Sequence, residues 1–280
     1  MDNKTRIELQ KKALENRITA LNMVYRAQSG HIGGSFSVAD ILTVLYQKVM
    51  NVDPARPRWE GRDRLVMSKG HCTPALYAAL AQRGFFPAEE LNTFRETTSR
   101  LSGHAEMGVP GVDMSTGSLG QGLSAACGMA LAGKIDGADY YVYSIQGDGE
   151  LQEGMIWEAA MTAAKYNLDN LIAIVDHNKL QLDGTTEEIM PSMYPLAEKF
   201  QAFGWHVLEC DGHDPAALYG ALQEAKEVKG KPIAIIADTV KGKGVSFMEN
   251  NVSWHGNVPS AEEYEAALAE LKAQLEELEG

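Results

Sequence analysis

Apolar residues return at helical spacing over residues 4–28, where Ile7, Leu14, Ile18, Leu21 and Tyr25 share one face, and the pattern predicts an amphipathic helix. Three glycines in the following SGHIGGS segment, residues 29–35, predict a break. Helical spacing resumes over residues 38–50. Residues 63–68 read as a short apolar strand, with a helix over 74–83 behind it. Glycines and turn residues punctuate 100–122, and a run of small residues over 123–134 predicts another helix.

Beyond residue 140 the alternation is clearer. Strands are expected at 140–145, 171–175, 206–209 and 233–237, with helices at 151–166, 194–203 and 215–229 between them. Short buried strands separated by helices predict a parallel sheet covered on both faces. Right-handed crossovers then make it a doubly wound, mostly parallel α/β fold. The last helix has its own start signal, because Ser260 and Glu263 stand at capping-box spacing. Along it Tyr264, Leu268, Leu271, Leu275 and Leu278 form an apolar stripe, which either packs on the core or docks a partner. No repeat or low-complexity linker interrupts residues 1–280, so one domain is expected, closed by a helix over 260–279.

Charge narrows the function classes. The chain carries 38 Asp and Glu against 25 Lys and Arg, a formal charge of −13, so it lacks the basic footprint of a general nucleic-acid binder. The same charge opposes docking on anionic lipid. Seven Glu and one Lys fall within residues 261–280, so the tail alone supplies −6. No apolar run approaches the ~18 residues of a membrane helix, and the charged N-terminus holds no secretory apolar stretch. Cys72, Cys127 and Cys210 stand far apart and form no CxxC pair. A cytoplasmic location with reduced thiols and no membrane contact is expected.

Two strand ends carry candidate chemistry, and open parallel sheets bind ligands at the carboxyl ends of their strands. Gly147-Asp148-Gly149 follows the strand at 140–145 and precedes a helix, whose free N–H groups suit phosphate. Asp176-His177-Asn178 follows the strand at 171–175. Twenty-eight residues lie between Gly149 and Asn178, room for one helix and one strand. A βαβ unit then brings the Asp148 carboxylate and the Asn178 amide oxygen to neighbouring strand ends. Such hard oxygens suit Mg²⁺ or Ca²⁺ that also holds phosphate. Either triplet alone also fits a plain turn.

Of the seven histidines, His31, His71, His104 and His255 sit beside glycine in loops, where proton transfer is a better use than core packing. A solvated loop histidine or a Gly-His turn stays open for each taken singly. His213, in DGHDP, reads as a plain turn, and His206, within a strand, as structural. Glu153 and Glu158, five apart after the GDG triplet, read by themselves as solvated helix positions.

GDGELQEG followed by DHNKLQLDG resembles the thiamine diphosphate motif of transketolases. SGHIGGSFSVADIL, SKGHCTPALYAAL, GHAE, STGSLGQGLS, KGKGVSFME and WHGN resemble further transketolase segments in the same order, over almost the whole chain. The likeness is greatest to the separately encoded N-terminal subunits of split transketolases. It implies a thiamine-diphosphate-binding fold, in its diphosphate-binding (PP) domain, with thiamine diphosphate and Mg²⁺ (or Ca²⁺) as cofactors. It further implies that Asp148, Asn178 and the backbone carbonyl of Leu180 hold the ion. His71, Gly149 and His255 would contact the diphosphate, and Gly117 and Leu119 would lie against the aminopyrimidine. His31, His71, His104 and His255 would surround the reactive carbon and move protons on substrate hydroxyls. Glu153 and Glu158 would belong to a carboxylate network between paired active sites.

The resemblance also marks a departure. A transketolase uses a second, pyrimidine-binding domain, which supplies a glutamate to the cofactor ring, an aromatic pocket, and basic residues for the sugar phosphate. The sequence stops at Gly280 without one. Half a catalytic unit is therefore expected, with ketol transfer between sugar phosphates only beside a C-terminal transketolase subunit, two copies of each. A subunit of another thiamine diphosphate enzyme (a 2-oxo acid dehydrogenase, or a deoxyxylulose-phosphate-synthase-like half) and a non-catalytic cofactor-binding half remain alternatives. The loop histidines favour ketol transfer, because sugar hydroxyls need proton relays.

Overall fold

The N-terminal periodicity becomes α1 (Asn3–Ala27), started by the Asp2 carboxylate accepting from the Thr5 N–H and ended at Gln28 in the left-handed conformation. Residues 1–279 are described by the computed structural model. The break expected over 29–35 is shorter than its glycines imply, for α2 (Ile32–Val44) starts inside that segment. The reason is close packing. A Cβ at Gly33 would stand 2.6 Å from the Trp254 carbonyl, and one at Gly34 would stand 2.9 Å from Cys72 Sγ. Glycine is required at these two positions for approach, and the helix runs through it. A single π-type turn, Leu45–Val49, prolongs α2.

After β1 (Arg64–Met67) come α3 (Thr73–Arg83), a long loop, and α4 (Gln121–Asp136). Then follow β2 (Val142–Gly147), α5 (Gly154–Lys165), β3 (Leu171–His177), the single turn α6 (Thr186–Ile189), and α7 (Leu196–Ala202). The chain ends with β4 (His206–Asp211), α8 (Pro215–Glu227), β5 (Ile233–Asp238) and α9 (Ala261–Glu277). Two boundaries differ from expectation. Tyr140 lies outside β2 because its hydroxyl donates to the Met129 carbonyl of α4, at 3.0 Å. The helix expected from residue 151 begins as a 3₁₀ turn, Gly149–Gln152, and becomes α-helical only at Gly154.

The sheet order is β1-β2-β3-β5-β4, with every neighbouring pair parallel. Alternate side chains of each strand enter opposite layers. Leu65, Tyr143, Ile172, Ile174 and Ile235 pack with α2, α3 and α8 on one face. Val66, Val142, Ala173, Val175 and Ile236 pack with α4, α5 and α7 on the other. This is the doubly wound, parallel α/β arrangement. A third cluster joins α1 to the loop before α9 and to α9 itself. The capping box at Ser260 and Glu263 is formed, and the leucine stripe of α9 is laid on α1, with Leu271 fully buried. Tyr264 stacks on Tyr25 with ring centres 4.0 Å apart. Among the described residues no helix is long and apolar enough to cross a membrane.

Candidate active site

Parallel strands point their carboxyl ends one way, so the loops leaving β1, β2, β3 and β5 gather at one rim. Register aligns them: Gly147 stands opposite Asp176, and His177 opposite Asp238. A cleft of about 410 Å³ opens there. It is lined by His31, His71, His104, His255, Gly117, Leu119, Asp148, Gly149, Glu153, Asn178 and Leu180, all singled out by the sequence. Glu158 is outside it, on an exposed face of α5.

One side of the cleft is made of oxygens. Asp148 is buried, its Oδ1 accepting from the Gly149 N–H at 2.8 Å and its Oδ2 from the Lys179 N–H at 2.5 Å. Lys179 takes φ 67°, the left-handed region, which turns the chain sharply just after Asn178. The Asn178 amide is oriented by its Nδ2, which donates to Ser37 Oγ at 3.2 Å, leaving Oδ1 to accept from the Leu180 N–H at 3.1 Å. Burial, reinforced by the charge of Asp176, pushes the Asp148 carboxyl up to about 7. A divalent cation beside it would reverse that cost. Among the described residues no group of three His, Cys, Asp or Glu side chains is placed to hold a metal. The oxygen set here is one carboxylate, one amide and one backbone carbonyl, which suits Mg²⁺ or Ca²⁺ and not Zn²⁺.

The other side is made of imidazoles. The ring of His31 stands 5.0 Å from that of His71, 5.5 Å from His255 and 6.2 Å from His104, centre to centre. His71 and His255 stack at 5.4 Å. Burial and then the Lys241 charge hold His255 down to about 3, while burial and then Arg95 hold His31 at about 4. Burial, with Lys69, puts His71 well below the ordinary histidine range, and burial with Arg95 lowers His104. All four are therefore neutral near pH 7, each with one nitrogen that donates and one that accepts. That is the state in which an imidazole can relay a proton in either direction.

Several residues of the site carry no sequence signal of their role. Lys69 is buried and paired to Asp176, whose second oxygen accepts from Thr239. Burial alone would lower the Lys69 ammonium, but the Asp176 charge outweighs it and raises the group. Lys241, lowered to about 8 by burial and by Lys69, places its Nζ 2.8 Å from His255 Nδ1 and 3.2 Å from the Leu180 carbonyl. Glu150, also buried, accepts from the Ser68 hydroxyl, from the Gly120 N–H at 2.9 Å and from the Gly147 N–H at 3.0 Å. One carboxylate thus ties three of the loops together. SKGH and KGKG are recognisable as segments, but a buried lysine is defined by its partner, and Asp176 is 107 positions from Lys69.

Residues 9–276 match the family model described as transketolase, thiamine diphosphate binding domain. One of the two separately encoded subunits of an apulose-4-phosphate transketolase, from Phocaeicola vulgatus, is 47% identical over 273 residues, covering 98% of this chain and 96% of that one. The 6-deoxy-6-sulfo-D-fructose transketolase subunit SqwG of a Clostridium strain is 48% identical over 269 residues, covering 96% and 98%. Among solved structures, transketolase from Leishmania mexicana superposes with a TM-score of 0.86 at 33% identity, covering 97% of this chain but 45% of its own. The chain thus spans about half the length of that transketolase and nearly all of each separately encoded subunit. These matches favour ketol transfer over the other thiamine diphosphate chemistries. The chain belongs to the transketolase family, as a thiamine diphosphate binding subunit with transketolase-type ketol-transfer chemistry.

Proposed function

We propose that the cleft holds thiamine diphosphate and a divalent ion, and that this chain is the N-terminal half of a split transketolase. The observation that carries the reading is a cluster of four neutral histidines facing hard oxygen donors across one set of strand ends. The residues present fit the cofactor. The buried Asp148 carboxyl has no ammonium or guanidinium paired with it among the described residues, and two lysines, Lys69 and Lys241, line the same cleft. His31 Nδ1 is buried without a hydrogen-bond partner among the described residues, leaving a polar atom for a ligand.

In this reading Asp148, Asn178 and the Leu180 carbonyl hold the ion. Gly149, His71, His255 and the two lysines meet the diphosphate, whose charge the ammonium groups offset. Gly117 and Leu119 face the aminopyrimidine. When bound, the cofactor supplies the carbon nucleophile and electron sink that two-carbon transfer requires. The four imidazoles accept and return protons on the hydroxyls of the sugars at each stage. Glu153, at the cleft rim, and Glu158, further along α5, are assigned to a carboxylate network with a second active site. A complementary C-terminal transketolase subunit, two copies of each, completes the enzyme. The two relatives are named for apulose 4-phosphate and 6-deoxy-6-sulfo-D-fructose, so ketoses ending in an anionic group are the proposed substrate class.

The test is reconstitution. With thiamine diphosphate and Mg²⁺, the chain alone is expected to transfer nothing from xylulose 5-phosphate, apulose 4-phosphate or 6-deoxy-6-sulfo-D-fructose to an aldehyde acceptor. Turnover is expected once a C-terminal transketolase subunit is added. Robust turnover by the isolated chain would remove the half-enzyme reading, and failure of the pair to bind the cofactor would remove the site.

A further inference from the structure

A fifth histidine, outside the cleft, belongs to a buried polar chain that ends beside it. Arg17 of α1, Asp40 of α2 and His213, in the turn between β4 and α8, meet under the loop that follows β5. Their side chains are 4%, 6% and 13% exposed. Arg17 Nη2 pairs with Asp40 Oδ2, and Arg17 Nε donates to the Phe36 carbonyl at 3.1 Å. His213 Nδ1 lies 2.8 Å from the same Asp40 oxygen, and its Nε2 lies 2.8 Å from the Val240 backbone nitrogen.

These contacts fix the tautomer. A backbone N–H can only donate, so Nε2 is the unprotonated, accepting nitrogen. Nδ1 therefore carries the proton and donates it to Asp40. Val240 immediately precedes Lys241, whose Nζ reaches His255 Nδ1 and the Leu180 carbonyl. Thr239, on the other side of Val240, donates to Asp176. The backbone that carries Lys241 is thus pinned at two successive residues, by Asp176 within the site and by His213 from behind it. The pattern is that of an oriented imidazole: a carboxylate sets the ring, and the far nitrogen does the holding.

We propose that His213 is a positioning residue of the active cleft: set by Asp40 and Arg17, it holds the Val240 N–H and thereby places Lys241 against His255 and the Leu180 carbonyl. Its effect on cofactor binding rests on the function proposed above. Its effect on the geometry does not, and the two can be tested apart.

The variants His213→Gln and His213→Asn separate the two ring nitrogens. A glutamine amide reaches the Nε2 position and can still accept from Val240. An asparagine amide reaches only the Nδ1 position, so it keeps Asp40 and loses Val240. In the cofactor-free full chain, ring ¹⁵N NMR is expected to show the His255 Nδ1 signal unchanged in the Gln variant and displaced in the Asn variant. In the assembled two-subunit enzyme, calorimetry with thiamine diphosphate and Mg²⁺ is expected to show affinity weakened about tenfold by Asn and within about threefold of the parent for Gln. A purely structural histidine would lower thermal midpoint and affinity alike in both variants, and that result overturns the proposal, as does an unmoved His255 signal in the Asn variant. Should neither variant fold, the unmodified chain decides: a proton on His213 Nδ1 and slow exchange of the Val240 amide support the proposal, and a proton on Nε2 overturns it. If the unmodified complex fails to bind thiamine diphosphate, the functional reading falls while the NMR result still judges His213.

Discussion

At the residue scale, the cleft is a place where ionisable groups are held away from their ordinary behaviour, and two consequences can be measured. Histidines 31 and 255 are neutral in the folded chain down to about 4 and about 3, whereas an unfolded histidine gains its proton near 6.5. Below that value the unfolded state binds more protons, so stability falls with pH. The penalty is absent above about 6.5, grows through the window down to the folded values, and is complete below them. Urea unfolding of the cofactor-free chain at pH 7 and pH 5 is expected to give the lower midpoint at pH 5, with the difference reduced in His31→Gln. Asp148→Ala removes a carboxylate pushed up to about 7 by burial, so the chain is expected to keep its thermal midpoint. The assembled enzyme is expected to lose Mg²⁺-dependent cofactor binding by calorimetry. An unchanged affinity would move the ion elsewhere. The histidines and Asp148 are legible in the sequence because each stands beside glycine at an interruption of periodicity. His213 stands beside glycine too, yet the turn reading misses its role, since its partners Asp40 and Val240 lie 173 and 27 positions away.

At the scale of elements, the periodic segments are readable and the glycine-rich junctions are not. Helices α3 and α8 and strands β3 and β5 stand within a few residues of the expected bounds, because their apolar patterns are uninterrupted. The start of α2 is misplaced because helix propensity penalises Gly33 and Gly34, while tertiary packing against Trp254 and Cys72 demands them. The stripe on α9 leaves two readings open, and packing on α1 resolves it. Leu271 is fully buried in the cluster it shares with Leu14, Leu21 and Val24. Leu271→Ala is expected to cost about 2–5 kcal/mol of stability, by lost burial and by the cavity left behind. Denaturant titration measures it, and a loss under about 0.5 kcal/mol would mean that α9 is dispensable to the fold.

At the scale of the whole molecule, the doubly wound class follows from alternation alone, but the position of β5 between β3 and β4 does not. Local pattern says that a strand is buried on both faces and says nothing about which neighbours it takes. The gathering of the site at one rim depends on that order and on the common strand direction, both non-local. Assembly is the matching prediction. Size-exclusion chromatography with light scattering is expected to give a complex of two copies of this chain and two of a C-terminal transketolase subunit. A one-to-one complex that is fully active would dismiss the role assigned to Glu153 and Glu158 across paired sites.

The seam between α1 and α9 carries a mechanical consequence. Tyr25 meets Tyr264 near one end of the pair, while Gln10 and Leu14 border the same small cavity as Gln274 and Leu278 near the other. The two helices therefore run in opposite directions, and their free ends emerge side by side. A load applied between those ends opens the seam like a zipper, breaking one layer of contacts at a time, whereas parallel helices would resist in shear. Pulled by its termini in an optical trap, the chain is expected to release α9 first, at low force and reversibly, with the five-stranded sheet still folded behind it.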